Sequence, residues 1–192
     1  LELLMRDMRP DAIKIGLLGS VDLIPVVRDL LQGFEGPVVL DPVLATGGGF
    51  DLDTGDLGQA MLDQLVPLTG LITPNRSEAR RLGGHPDTDQ AVQKILQAGA
   101  NAILLTGADE ASGDQVTNRL FRADTPPRSF NWPRLPHRYH GSGCTLASAC
   151  ATRLALGDGL TEAVETAQHF TLDALRRADR PGGGQWLPRR LP

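Results

Sequence analysis

Aromatic side chains are scarce: two Trp, one Tyr and five Phe make 4% of 192 residues. Binding single-stranded nucleic acid needs aromatic platforms on which bases stack. Asn131-Trp132-Pro133 and Tyr139 are therefore read as packing rather than a stacking surface. Positive charge is not in excess either, with 19 Lys and Arg against 23 Asp and Glu and a net charge of −4. A general nucleic-acid binder needs a basic surface to displace counterions, so no nucleic-acid partner is expected. No apolar run approaches the roughly 20 residues that span a bilayer, and no basic-then-apolar leader opens the chain. The expectation is a soluble, cytoplasmic protein without a membrane partner. Cysteine is limited to Cys144 and Cys150. Six positions apart in a helical stretch, they face different ways and cannot pair, and free thiols suit a reducing compartment.

What is present is ordinary for a folded chain: 41% hydrophobic and 22% charged residues, a length that suits a single domain over 1–192. The 22 glycines and 14 prolines point to many tight turns or close approaches of backbone to a ligand. The chain opens on Leu1-Glu2-Leu3-Leu4-Met5, already in a helical pattern, and is expected to be a piece of something longer.

Short β-like runs alternate with amphipathic helices. A strand over 12–16 precedes a helix whose apolar positions Leu23, Val26, Val27, Leu30 and Leu31 share one face, with Ser20 or Asp22 as N-cap, Pro25 suiting a first turn better after Asp22, and Gly33 as stop. Pro37-Val38-Val39-Leu40-Asp41-Pro42 has no polar alternation, as expected of a parallel strand buried on both faces. The Gly-rich Thr46-Gly47-Gly48-Gly49 then leads to a helix carrying Leu57, Met61 and Leu65. Strands follow at 71–73 and 102–106, enclosing a short helix stopped by Gly83-Gly84 and a second helix capped by Asp87 or Thr88. Runs at 115–121 and 128–135 have no helix between them and read as an antiparallel edge hairpin. Helices over 144–156 and 161–178 complete the pattern, the 181–184 tail is expected to be loose, and Trp186 to pack back. The class is α/β, with ligands expected at the carboxyl ends of the strands.

The sharpest chemical feature is His140-Gly141-Ser142-Gly143-Cys144-Thr145 opening a helix. Glycines allow a tight turn, and the first helical amides are unpaired and carry about half a positive charge, which makes an anion site. A thiol there is expected to have a lowered pKa, so Cys144 reads as a thiolate, a hydrogen-bonding group or a proton acceptor; the alternative is a glycine turn with a packed Cys. Asp41, ending a buried strand, either binds a metal or caps a loop. Asn75-Arg76-Ser77-Glu78 has the form of a capping box, with a magnesium-facing Glu78 as the alternative. His137, His140 and Cys144 have a zinc-like spacing but no fourth ligand, and the glycines between them suit an anion loop better.

Four segments, in order, resemble one family: Asp11-Ala12-Ile13-Lys14-Ile15-Gly16-Leu17-Leu18-Gly19-Ser20, Leu40-Asp41-Pro42-Val43-Leu44, Ile72-Thr73-Pro74-Asn75-Arg76-Ser77-Glu78-Ala79 and His140-Gly141-Ser142-Gly143-Cys144-Thr145-Leu146. Together they resemble the hydroxymethylpyrimidine/phosphomethylpyrimidine kinases of thiamine biosynthesis, in the ribokinase-like superfamily. The resemblance implies a three-layer α/β/α fold, a mostly parallel sheet and an antiparallel edge hairpin. It also implies ATP- and Mg2+-dependent phosphorylation of a small pyrimidine and of its monophosphate, and a homodimer. Gly141, Ser142, Gly143 and Cys144 would form the anion hole, and a Cys at the end of that loop selects the pyrimidine kinases. Asp41 and Glu78 would hold magnesium through water, Asn75, Thr106 and Gly107 would join them at the triphosphate, and Leu17 and Val43 would line the pyrimidine pocket. The chain departs from the family in carrying Thr106 where many members have Lys, and in lacking the N-terminal strand and Gly-Ser-Asp-type substrate loop. Without that strand, exposed edge amides or apolar surface are expected. The rival expectations are a pyridoxal-type kinase, which tolerates Thr at this position but usually has a Gly-x-Gly-Asp loop, and a catalytically silent nucleotide-binding domain.

Overall fold

In the computed structural model, which describes residues 2–45, 56–109 and 113–191, the short apolar runs pair into one sheet. Its strands are β1 (Ile13–Ile15), β2 (Val38–Leu40), β3 (Leu71–Ile72), β4 (Ala102–Leu105), β5 (Gln115–Arg122) and β6 (Thr125–Pro133), side by side in chain order. β1 to β4 are parallel, whereas β5 and β6 run antiparallel to their neighbours. The helices are α1 (Glu2–Met8), α2 (Leu23–Gln32), α3 (Leu57–Gln64), α4 (Arg76–Leu82), α5 (Thr88–Gln97), α6 (Ser142–Ala155) and α7 (Leu160–Arg176). The Gly-rich Thr46-Gly47-Gly48-Gly49 lies outside the described residues. No helix among the described residues is long and apolar enough to cross a membrane.

Parallel strands laid down in chain order by crossovers of one hand leave the connecting helices on a single face. Ile24, Met61, Leu82 and Ile95 of α2 to α5 accordingly pack with Ile15, Val38, Leu40, Ile72, Ile103 and Leu105. On the other face Leu146, Cys150, Val164 and Ala167 of α6 and α7 meet Val39, Leu71, Leu104, Leu120 and Phe130. Side chains alternate across a strand, so Val38 and Leu40 enter one core and Val39 the other. The layers are the α/β/α expected, and a fully buried Leu or Ile in either core contributes roughly 1.5–3 kcal/mol.

Local details differ from the sequence reading where backbone geometry decides. Asp22 makes no capping hydrogen bond; Ser20 Oγ instead accepts from its amide at 3.2 Å. β6 begins at Thr125 because Asp124, at φ 58°, closes a tight turn. Its Pro126 and Pro127 are tolerated on an edge strand, where an N–H can be absent. α6 starts at Ser142, because Gly141 at φ 82° turns the chain directly into the helix. Trp186 packs back as expected: its ring stacks on His137, centroids 4.2 Å apart.

Candidate active site

The alternation that places Val39 over α6 carries Asp41 to the same side, just past the carboxyl end of β2. The Asp41 amide donates to Ile15 O at 2.9 Å, which fixes the turn beside β1. Lys14, paired in register with Val39, reaches over so that its Nζ lies 3.0 Å from Asp41 Oδ2, the two side chains 19% and 6% exposed. This is a charge contact without the angles of a hydrogen bond, and Oδ2 is left buried with no hydrogen-bond partner. Lys14 was not among the sequence candidates. Its signal was a lysine in the middle of the apolar strand Ile13-Lys14-Ile15, since a charge there requires a partner.

The opening of α6 meets this pair. A side chain on Gly143 would begin 4.0 Å from Asp41 Oδ1. No side chain caps the helix, so the amides of Ser142, Gly143 and Cys144 have neither an intrahelical acceptor nor a cap. Thr145 Oγ1 donates to Gly141 O at 2.7 Å. Cys144 is exposed, within hydrogen-bonding reach of Asp41. Its pKa is raised, against expectation: burial of the thiol contributes most and the Asp41 charge next, outweighing Lys14 and Arg190. The helix start was expected to favour a thiolate, but burial of the sulfur, with the Asp41 carboxylate adding to it, reverses that, and at neutral pH Cys144 is a thiol. Cys150 is buried, and burial pushes it up to about 12; it is a packing residue.

Asn75 and Glu78 form the capping box read from the sequence: Asn75 Oδ1 accepts from the Glu78 amide at 2.8 Å, and Glu78 Oε2 from the Asn75 amide at 2.9 Å. The structural role does not exhaust Glu78. Its pKa rises from 4.5 to about 7, chiefly by burial, with Asp41 and Asp109 adding and the Asn75 amide and Arg81 opposing. Thr106 bridges to Asn75, and its amide donates to Pro74 O at 2.9 Å. The Gly107 amide is already committed, donating to Asn118 Oδ1 at 3.0 Å, so any part it takes at a nucleotide is through its missing side chain. Asn118, also missed by sequence reasoning, is held in turn by Gln168 Oε1, which accepts from Asn118 Nδ2 and Trp132 Nε1, each at 2.8 Å. Leu17, 57% exposed, follows β1, and half-buried Val43 follows β2, both at carboxyl ends of strands.

Among the described residues no three His, Cys, Asp or Glu side chains gather as a metal cage, and the His137 ring is occupied by Trp186. Magnesium asks for less: one or two carboxylates with retained waters and substrate phosphates. Asp41, whose buried Oδ2 has only the charge contact with Lys14 and no hydrogen bond, and Glu78, whose ionisation a nearby cation would restore, fit that demand.

Comparison with known proteins agrees with this geometry. A family model described as phosphomethylpyrimidine kinase matches residues 1–188. The hydroxymethylpyrimidine/phosphomethylpyrimidine kinase of Rhizobium meliloti is 32% identical over 185 residues, covering 93% of this chain and 69% of that protein. The thiamine biosynthesis bifunctional protein ThiED of Geobacter sulfurreducens is 34% identical over 190 residues, and the chain spans only 39% of its length. Among solved structures, an ADP complex of Bacillus subtilis pyridoxal kinase matches with a TM-score of 0.85 and 28% identity, over 94% of this chain and 70% of that one. Phosphomethylpyrimidine kinase from Clostridium difficile 630 matches with a TM-score of 0.74 and 27% identity, over 90% and 72% of the two chains. With its ribokinase-like layers and a glycine-lined helix start beside Asp41, the chain belongs to the phosphomethylpyrimidine kinase family of ATP-using phosphotransferases.

Proposed function

We propose that this chain transfers the terminal phosphoryl group of ATP to the hydroxymethyl group of hydroxymethylpyrimidine, and then to the resulting monophosphate, in thiamine biosynthesis. One observation carries the reading: uncapped α6 amides, the Cys144 thiol and the Asp41–Lys14 pair converge at the carboxyl ends of the strands. Phosphoryl transfer needs positioning and charge neutralisation more than covalent chemistry. The amides of the 141–144 loop hold the transferring group, and Lys14 adds a positive charge beside Asp41. In this reading the Cys144 thiol faces the acceptor hydroxyl. As a thiol it receives that hydroxyl proton only as its own proton passes to Asp41, so the pair works as a relay. Magnesium, held through water by Asp41 and Glu78, would neutralise the triphosphate. Asn75, Thr106 and Gly107 shape the floor under the nucleotide, and Leu17 and Val43 line the pyrimidine side. A homodimer and a cytoplasmic setting belong to the same reading, supported by the exposed Leu17, Val21, Leu23 and Val26 and by two free thiols.

The likeness to pyridoxal kinases favours pyridoxal as a second acceptor to be tested. ATP consumption with hydroxymethylpyrimidine, its monophosphate or pyridoxal, beside calorimetry of ATP binding, separates the readings. Turnover on both pyrimidines is the expected outcome; turnover on pyridoxal alone, or ATP binding without turnover, overturns it. Cys144→Ala should cut turnover about a hundredfold while leaving ATP binding intact, and near-normal turnover would remove the thiol from the mechanism.

A further inference from the structure

The segment after α7 has little regular structure but is tied down along its length. Leu187 and Asp179 exchange backbone hydrogen bonds of 2.8 and 3.1 Å. The Trp186 amide donates to Arg138 O, and its carbonyl accepts from the His140 amide, both at 2.9 Å. The Trp186 ring lies flat on His137, 9° between planes, and the Arg189 amide donates to Ala174 O at 2.9 Å. Here the fixed points deliver one side chain, that of Arg190, to the opening of α6.

Arg190 Nε donates to Thr145 Oγ1 at 3.0 Å, the hydroxyl that itself donates to Gly141 O. Its terminal nitrogen stands where a side chain on Gly141 would come within 3.1 Å. A guanidinium offers five N–H donors in a planar fork, and Thr145 takes one of them. Among the described residues no carboxylate pairs with Arg190, although the chain is acidic overall. One terminal nitrogen lies beside Gly141, where the uncapped helix begins, and the charge reaches Cys144 three residues on. Across that loop Asp41, its Oδ2 ion-paired with Lys14 at 3.0 Å, brings Oδ1 up to Gly143, so that Lys14 and Arg190 place positive charge on the two sides of the loop. An anion of tetrahedral, multiply charged form is what a free guanidinium fork and a helix start bind together.

We propose that Arg190 is a phosphate-binding residue of this site, its segment fixed by the Trp186–His137 stack and its guanidinium by Thr145 so as to grip the terminal phosphate of a nucleoside triphosphate on the α6 amides. The proposal rests on the reading of the site as a phosphoryl-transfer centre. Calorimetric titrations of wild type, Arg190→Ala and Arg190→Lys with ADP and with AMP-PCP, magnesium present, test both separately. Arg190→Ala should weaken AMP-PCP binding about tenfold or more and leave ADP within about twofold, because only the former carries the third phosphate. Arg190→Lys should recover part of the loss, since an ammonium is a point charge without the fork. An unchanged melting temperature in Arg190→Ala establishes that the loss is one of binding and not of fold. Equal AMP-PCP affinity in wild type and Arg190→Ala would overturn the proposal alone; a wild-type protein that bound neither nucleotide would overturn the kinase reading and the proposal with it.

Discussion

The two faces of the sheet are made by the same strands and differ in what their alternate positions carry. Toward α2 to α5 the strands present Ile15, Val38, Leu40, Ile72, Ile103 and Leu105, all apolar and all nearly inaccessible. Toward α6 and α7 they present Val39, Leu71, Ala102 and Leu104, but also Asp41 and Asn118, and the helices answer with Thr145, Gln168 and Thr171. A buried polar group must be hydrogen-bonded or paired, so the second face carries a network and a charge pair that the first does not need. The difference separates stability from chemistry. With the site as proposed, damage to the first face should cost stability and spare turnover, and damage to the second should cost turnover while the chain stays folded.

The sharpest way to break this comparison is at Asp41. Asp41→Asn keeps the shape but removes the charge beside Cys144, and turnover should fall about a thousandfold, or roughly 4 kcal/mol of transition-state stabilisation. Steady-state assay of the folded variant reads this directly; a loss smaller than about tenfold would mean that the α6 face is not the reacting one. On the opposite face Met61, fully buried, is the control. Met61→Ala should cost about 3 kcal/mol in urea denaturation, through lost burial and a cavity, with turnover per folded molecule unchanged. A matching fall in turnover would show that the two faces are coupled.

The smallest effect expected is a pH dependence centred on Glu78. Its folded pKa of about 7 lies above its ordinary 4.5, so its contribution to stability is fully present below 4.5 and is lost as pH rises to about 7. The loss should be about 2 kcal/mol once residual solvent contact is allowed for. Glu78→Gln keeps the capping geometry and removes the titration. Denaturation of both proteins at pH 4.5 and pH 8 should show the wild type losing ground to the variant at the higher pH. A difference that does not change with pH would mean Glu78 ionises freely.

Much of the fold was legible because it rests on local periodicity. The unbroken apolar run at 38–40 announced a strand buried on both faces, and the spacing of Leu23, Val26, Val27, Leu30 and Leu31 announced a helix but not its buried face, since Leu23 and Val26 are exposed and Ile24 and Leu31 enter the core. The capping box at Asn75 and the glycine turn before Ser142 are also local events, and both were read where they occur. The missed residues, Lys14, Asn118 and Arg190, have in common that their partners are far away in the chain: Asp41, Gln168 and Thr145. The Cys144 error has the same origin. The helix start alone favours a thiolate, and burial by the assembled fold, together with the carboxylate of Asp41 about a hundred residues earlier in the chain, raises the thiol instead.

The amino-acid sequence by itself determined the alternation of strand and helix, the order in which four short motifs follow one another and hence the family, because each depends on neighbours within a few positions. Only the tertiary structure decided which of those motifs share a site. It set the protonation of Cys144 and Glu78, the committed amide of Gly107 and the delivery of Arg190 to α6. Charge, burial and hydrogen bonding act through space, and the distances that govern them exist only after the sheet has brought its strand ends together.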